Sequence, residues 1–320
     1  MNAQAGLVIE ELRVDIGAAQ PVRSCSLAVQ PGQVVGLVGE SGSGKSLTAL
    51  ACLGLLPPQA RVQGSVRIGG QELLGAPEPA LRRVRGRRLA MVFQNPLSAL
   101  NPYYTIERQL MDVVQTHFPQ RPLAERRVQV AQALERVQLG AAFAGRHPHQ
   151  MSGGQLQRAM IAMALACEPE VLIADEPTTA LDVTVQARIV KLLRELTGQG
   201  MGLLLISHDL ALVSDVADRV HVMYAGRTLE AGAAADLMQA PSHPYAVALL
   251  KAQPQLGSTP ARLPVIEGQV LPATARPAGC VFQGRCRRAV DACASQLPPR
   301  VSLRPGSLVE CHHPVLPAHD

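Results

Sequence analysis

Four short runs of apolar residues stand out along the chain: "VVGLVG", "LAMVFQ" (89–94), "VLIAD" (171–175) and "GLLLIS" (202–207). Runs of this length predict strands buried on both faces of a parallel sheet. The first enters a glycine-rich loop followed by "KSLTALACLGLL", which predicts strand–loop–helix. The other three end in polar residues: Gln94, Asp175-Glu176 and Ser207-His208. In open α/β sheets ligands bind at the carboxyl ends of the strands, so these residues are expected to converge on the loop. Residues 1–35 predict short strands with turn signals such as Gln30-Pro31-Gly32-Gln33. Residues 105–168 predict helices, "LAERRVQVAQALERVQL" being the clearest amphipathic stretch, and "RVHVMYAGRTLEAG" predicts a hairpin. Beyond about residue 250 prolines become frequent, periodicity fades and cysteines appear. The reading is therefore a main α/β domain, 1–250, and an extension, 251–320, with no internal repeat.

Composition narrows the class. The 320 residues are 47% hydrophobic and 17% charged, enough for a sizeable core. No apolar run reaches the roughly 18–20 residues of a membrane span, and no secretory signal is visible, so a cytosolic protein is expected. The net charge of +5 is modest, and aromatics are 2%. The densest basic run, "LRRVRGRR" (81–88), lacks the interleaved aromatics of a nucleic-acid surface and predicts a solvated or protein-contacting helix face. Cys25, Cys52 and Cys167 stand singly in apolar surroundings, as small core residues do.

The chemistry starts at "GESGSGKS". Gly39, Ser41, Gly42, Ser43, Gly44, Lys45 and Ser46 belong to a complete G-x-x-x-x-G-K-[ST] loop, running into Leu47. Glycines let backbone N–H groups cradle phosphates, Lys45 supplies charge, and the Ser46 hydroxyl can ligate Mg²⁺. Asp175 ends a strand where a second Mg²⁺-holding group belongs, and Glu176 is placed to polarise an attacking water. His208 follows the next strand, at the position of a γ-phosphate contact. Gln94 carries an amide able to reach Mg²⁺ or water. A second candidate anion cradle, Ser152-Gly153-Gly154-Gln155, opens another helix about a hundred residues later. The first set leaves the far side of a γ-phosphate without a partner. Ser152, Gly153 and Gly154 fill that gap if they come from a second subunit, which makes ATP the glue of a head-to-tail dimer.

These motifs resemble those of the ATP-binding subunits of ABC transporters, nearest the dipeptide/oligopeptide importer branch, over nearly the whole chain. "GESGSGKS" resembles Walker A, "MSGGQ" the signature motif, "VLIADE" Walker B, "TTALD" (178–182) the D-loop and "LISHD" the switch histidine. "MVFQNPLSALNP" resembles the Q-loop of the peptide branch, and "PSHPYAVALL" a stretch near the end of its nucleotide domain. The resemblance implies a RecA-like core, an antiparallel β subdomain and a helical signature subdomain at about 96–168. It implies ATP and Mg²⁺ as cofactors and a place on the cytoplasmic face of the inner membrane. The implied partners are two permease subunits, a second, related but non-identical ATPase and an extracytoplasmic binding protein. Gln94 would couple to the permease and Asp182 would communicate across the dimer. Peptides are the expected cargo, with nickel chelates, glutathione or opines as alternatives. The family usually places an aromatic residue under adenine near the end of the first strands. Here the corresponding position is Ile16, which weakens that stack.

Four cysteines crowd the tail: Cys280, Cys286, Cys293 and Cys311, with five, six and seventeen residues between them. This is not C-x₂-C pairing, and spacing alone leaves a metal site and unrelated thiols both open. Peptide-branch subunits carry a similar tail, and some hold an iron–sulfur cluster there. The resemblance therefore implies one [4Fe–4S] cluster on these four thiols.

Other classes fit less well. The hundred residues between the loop and "MSGGQ" lack the heptads of DNA-repair ABC ATPases. Ribosome-acting members have two nucleotide domains per chain, and a GTPase needs an N-K-x-D motif. No nucleic-acid partner is expected.

Overall fold

A computed structural model describes residues 6–179, 181–252 and 265–316. Its strands are, in chain order, β1 (Leu7–Ile16), β2 (Ala19–Val29), β3 (Val34–Val38), β4 (Ala60–Ile68), β5 (Gln71–Glu72), β6 (Leu89–Val92), β7 (Val171–Asp175), β8 (Gly202–Ser207), β9 (Arg219–Tyr224), β10 (Arg227–Ala233), β11 (Arg300–Val301) and β12 (Leu308–Glu310). They form one sheet in the order β5-β4-β1-β2-β10-β9-β3-β8-β7-β6. Strands β6, β7, β8, β3 and β9 run parallel. β1, β2, β4 and β5 form an antiparallel wing.

The four apolar runs are the parallel strands β3, β6, β7 and β8, and their lack of alternation has a direct cause. Side chains of a strand alternate between faces, and both faces of this sheet are covered. Val34, Val38, Leu172, Ala174, Leu203 and Leu205 enter one core cluster. Val35, Leu37, Val171, Ile173, Leu204 and Ile206 enter the other. The first cluster is roofed by helices Ile106–His117, Leu123–Arg136 and Gly153–Leu165, within the stretch expected to be helical.

The amino-terminal strands are longer than the pattern suggests. β1 and β2 span ten and eleven residues. Alternation is lost because β1 carries a bulge: Glu11 has φ 46° and the register shifts between Ile9 and Leu12. The hairpin expected at "RVHVMYAGRTLEAG" is β9–β10, turning on Ala225 and Gly226, both at positive φ.

Three of the five arginines at 81–88 have acidic partners. Arg82 and Arg85 pair with Glu78, and Arg88 with Glu170. Cys25, Cys52 and Cys167 are buried, as expected.

Residues 253–264, within the expected extension of 251–320, lie outside the described residues. The rest of the extension packs on the main domain. β12 pairs antiparallel with β10 and β11 with β12. Glu310, 1% exposed, receives Arg227 and Arg300. Cys280, Val281, Phe282 and Cys293 join the first core cluster. The Phe282 ring meets those of Tyr224 and Tyr245 at 5.3 Å each.

Candidate nucleotide site

The buried strand β3 delivers the chain into the phosphate loop, and two glycines there have no substitute. A Cβ on Gly39 would sit 2.0 Å from the Met223 carbonyl oxygen. One on Gly44, at φ 106°, would sit 2.7 Å from that of Pro21. Helix Lys45–Cys52 begins directly after the loop, so its free N–H groups face the loop's hollow. Lys45 is 5% exposed, and its Nζ donates to the carbonyls of Gly39 (2.7 Å) and Glu40 (3.0 Å). Burial pushes its pKa down, against the pull of Glu176, Asp175 and Glu40.

The carboxyl ends of β6, β7 and β8 bring the expected polar residues to this loop. A pocket of about 430 Å³ is lined by residues 41–47, Gln94 and Glu176. Asp175, at the end of β7, is 5% exposed, and its Oδ1 has no partner. Burial raises its pKa, while a hydrogen bond with Ser46 lowers it. An orphaned carboxylate oxygen beside a hydroxyl suits a hard divalent cation, which usually takes only one or two protein ligands plus phosphate oxygens.

Glu176 adopts φ 49°, a strained conformation for a non-glycine residue. Its N–H donates to the Ile206 carbonyl at 2.9 Å, which fixes that turn. Its Oε2 lies 2.7 Å from His208 Nδ1 and accepts from Thr179 Oγ1 at 2.9 Å. Burial raises the Glu176 pKa, but the bonds from His208 and Thr179 outweigh it and the net shift is downward. His208 shifts upward, chiefly through the Glu176 bond.

Ser152 caps helix Gly153–Leu165 in a reciprocal box: its Oγ accepts from Gln155 N at 3.4 Å, and Gln155 Oε1 from Ser152 N at 3.0 Å. The glycines lie close to the D-loop region. A Cβ on Gly154 would meet Val185 at 2.8 Å, and one on Gly153 would meet Leu181 at 3.2 Å. Ser152 and Gly153 are exposed and absent from the lining of the pocket at Lys45. Asp182 caps helix Val183–Thr197 through its Oδ1. Ile16 is half-buried against the second core cluster and does not line the pocket.

The sequence pattern of the family described as "ABC transporter" matches residues 22–179, and that described as "Oligopeptide/dipeptide transporter, C-terminal region" matches 229–293. The oligopeptide transport ATP-binding protein OppD of Escherichia coli is 42% identical over 327 residues, covering 98% of this chain and 95% of that one. The chain belongs to the ATP-binding subunits of ABC transporters. The dipeptide transport ATP-binding protein DppD of the same organism is 43% identical, covering 97% of each chain. A solved dimeric ATP-binding cassette in a post-hydrolysis state with ADP and phosphate superposes with a TM-score of 0.63. It is 26% identical and covers 71% of this chain and 98% of its own. The fold is therefore that of an ABC nucleotide-binding domain, and ATP is its ligand.

In this ABC ATPase the four tail cysteines meet. Cys280, Cys286, Cys293 and Cys311 line one cavity of about 10 Å³, with His243 and Phe282. Burial pushes the Cys280 thiol up to about 11 and raises Cys286 and Cys311. Soft thiolates suit a cluster or zinc as donors. Yet among the described residues no three Cys, His, Asp or Glu side chains stand in metal-holding geometry. The expected iron–sulfur cluster is therefore not supported by the arrangement of these side chains.

Two site features escaped the sequence reading. Residues 270–273 and Arg276 of the extension line the nucleotide pocket. Arg285 pairs with Glu40 of the phosphate loop at 2.9 Å. Neither carries a motif, and each joins residues more than two hundred positions apart.

Proposed function

We propose that this chain hydrolyses ATP to power uptake of di- or oligopeptides through an importer at the cytoplasmic face of the inner membrane. The observation that carries the reading is the grouping of Lys45, Gln94 and Glu176 around one pocket, with His208 held on Glu176, in a chain whose tail matches the oligopeptide/dipeptide transporter family.

The chemistry follows from the residues. The loop's N–H groups and Lys45 bind the β- and γ-phosphates. Ser46 and Asp175 would hold Mg²⁺, which supplies charge neutralisation at the phosphates. Glu176, kept ionised, orients and polarises the attacking water, and His208 positions Glu176. Ser152 and the exposed start of its helix serve a nucleotide on a second ATPase subunit, related but not identical, with Asp182 nearby at that junction. Their exposure and their absence from their own chain's pocket lining support this composite arrangement.

No helix among the described residues is long and apolar enough to cross a membrane. Coupling to two permease subunits therefore goes through a surface. An apolar groove of about 260 Å³ supports this: it is lined by Leu55, Met91, Phe93, Leu100 and Met160 and lies one residue from Gln94. A separate extracytoplasmic binding protein selects cargo in this scheme. For the tail, the softness of four thiolates as donors is the ground for proposing a cluster. Iron, sulfide and zinc analysis after anaerobic purification tests it, and absence of all three removes it.

The deciding experiment is uptake in a strain lacking the gene, complemented with wild type or Lys45→Ala. Labelled peptide uptake restored by wild type alone is the expected result. Restoration of nickel uptake instead would overturn the cargo.

A further inference from the structure

The nucleotide pocket has a wall that the phosphate loop does not supply. Residues 270–273 and Arg276 form it, and they are fastened in place. Gln20 N donates to the Ala273 carbonyl at 3.4 Å. Arg276 Nη1 donates to the carbonyls of Gln20 (2.8 Å) and Pro21 (3.1 Å), and Nη2 to that of Gly42 (3.1 Å). The guanidinium therefore bridges the start of β2 and the phosphate loop itself.

Two properties of this wall suit a nucleotide. The first is charge. Arg276 is half-buried and held by carbonyl dipoles, and no carboxylate balances it among the described residues. Its Nε is buried without an acceptor. Arg23, bonded to the Pro277 carbonyl, adds a like charge close by. A half-buried cation without a counter-ion is costly, and a polyphosphate arriving beside Gly42 would compensate it. The second is shape. Leu271 is 47% exposed at this pocket, next to Pro272. Ile16, which stands where an aromatic base platform is expected, does not line the pocket. An exposed leucine and a proline ring at the mouth supply the apolar surface that Ile16 does not.

We propose that the C-terminal extension completes its own chain's nucleotide site, with Arg276 contacting the phosphates and Leu271 and Pro272 packing against the adenine base. This rests on the ATP-binding role given by family membership. It links two events: nucleotide binding holds the extension down, and a docked extension tightens nucleotide binding, by the same factor.

The test uses the full-length chain and two ligands with Mg²⁺, ATP and inorganic tripolyphosphate, measured by calorimetry. Arg276→Ala removes a charge-assisted contact and is expected to weaken both by about tenfold. Arg276→Lys, which keeps the charge, should recover part of the loss. Arg276→Gln, which keeps hydrogen-bond donors without charge, should not. Leu271→Ser should weaken ATP several-fold and leave tripolyphosphate unchanged. Circular dichroism and the apo Tm report whether each variant is folded. Folded Arg276→Ala and Arg276→Gln variants that bind both ligands like wild type overturn the proposal. Equal effects of Leu271→Ser on the two ligands overturn the base contact. Failure of the wild type to bind either ligand would instead overturn the underlying ATP reading.

Discussion

Glu176 Oε2 and His208 Nδ1 are 2.7 Å apart, so the two residues proposed to activate water are bonded to each other. The histidine holds the carboxylate in its ionised form and fixes its direction. Glu176→Gln removes the charge while keeping the shape. It is expected to leave ATP binding intact and to lower kcat by about 10²–10⁴-fold, read in a steady-state phosphate-release assay.

The same pair sets a pH dependence. The folded pKa of His208 is raised above its ordinary 6.5, so its contribution is complete below pH 6.5 and fades as pH climbs through the raised value. The folded pKa of Glu176 is lowered below 4.5, so its contribution is complete above pH 4.5 and fades as pH drops through the lowered value. The pair is thus intact across the mildly acidic range. Titration of the His208 ring proton by NMR should give a midpoint above 6.5 in wild type, and Glu176→Gln should bring it down. An unmoved midpoint would show that the pairing does not persist in solution.

Glu310 anchors the extension to the core. It is 1% exposed and accepts from Arg227 and Arg300, while Arg227 itself is 9% exposed. Glu310→Gln strands a buried guanidinium, and loss of one partner of a buried pair typically costs about 3–5 kcal/mol. Denaturant unfolding should show that loss. Glu310→Asp, which keeps the charge one methylene short, should cost less.

Arg285 makes a different prediction because its partner belongs to the phosphate loop. Its side chain is 7% exposed, bonded to both oxygens of Glu40 and lying over the Tyr224 ring at 5.7 Å. Its adjacent residue, Cys286, lines the four-thiol cavity. Arg285→Met removes the tie while keeping bulk. It is expected to destabilise by about 1–3 kcal/mol, the scale of hydrogen bonds lost to a charged group that is partly solvated. It should also speed amide exchange around residues 266–286, read by mass spectrometry, more than in helix Leu123–Arg136.

These ties mark the limit of what the sequence discloses. The phosphate loop, the strand ends at Asp175 and Ser207 and the helix opened by Ser152 are legible because each writes itself locally, as a motif or an apolar period. The tail does not. Its strands β11 and β12 are two and three residues long, too short for any alternation to register. Its contacts with Glu40, Gly42 and Gln20 come from single arginines, one in a three-residue 3-10 turn and one in irregular backbone. Ile16 is legible as a position but not as an environment: the β1 bulge at Glu11 shifts the register that decides which side chains face the pocket. The four cysteines are legible as a group, and folding brings them to one cavity, while spacing alone does not fix what they hold.

Ser152 separates a local from an intermolecular role. Its Oγ caps the helix through Gln155 N, and loss of such a cap costs about 1 kcal/mol. Ser152→Ala should therefore lower stability by about that amount. Ser152→Arg loses the same cap but also places a bulky cation at an exposed helix start that is absent from the pocket at Lys45. If that start serves a partner's nucleotide, Ser152→Arg abolishes hydrolysis while the isolated chain binds ATP with unchanged Kd. ATP binding lost by the isolated Ser152→Arg chain would place the motif in its own nucleotide site and end the composite reading.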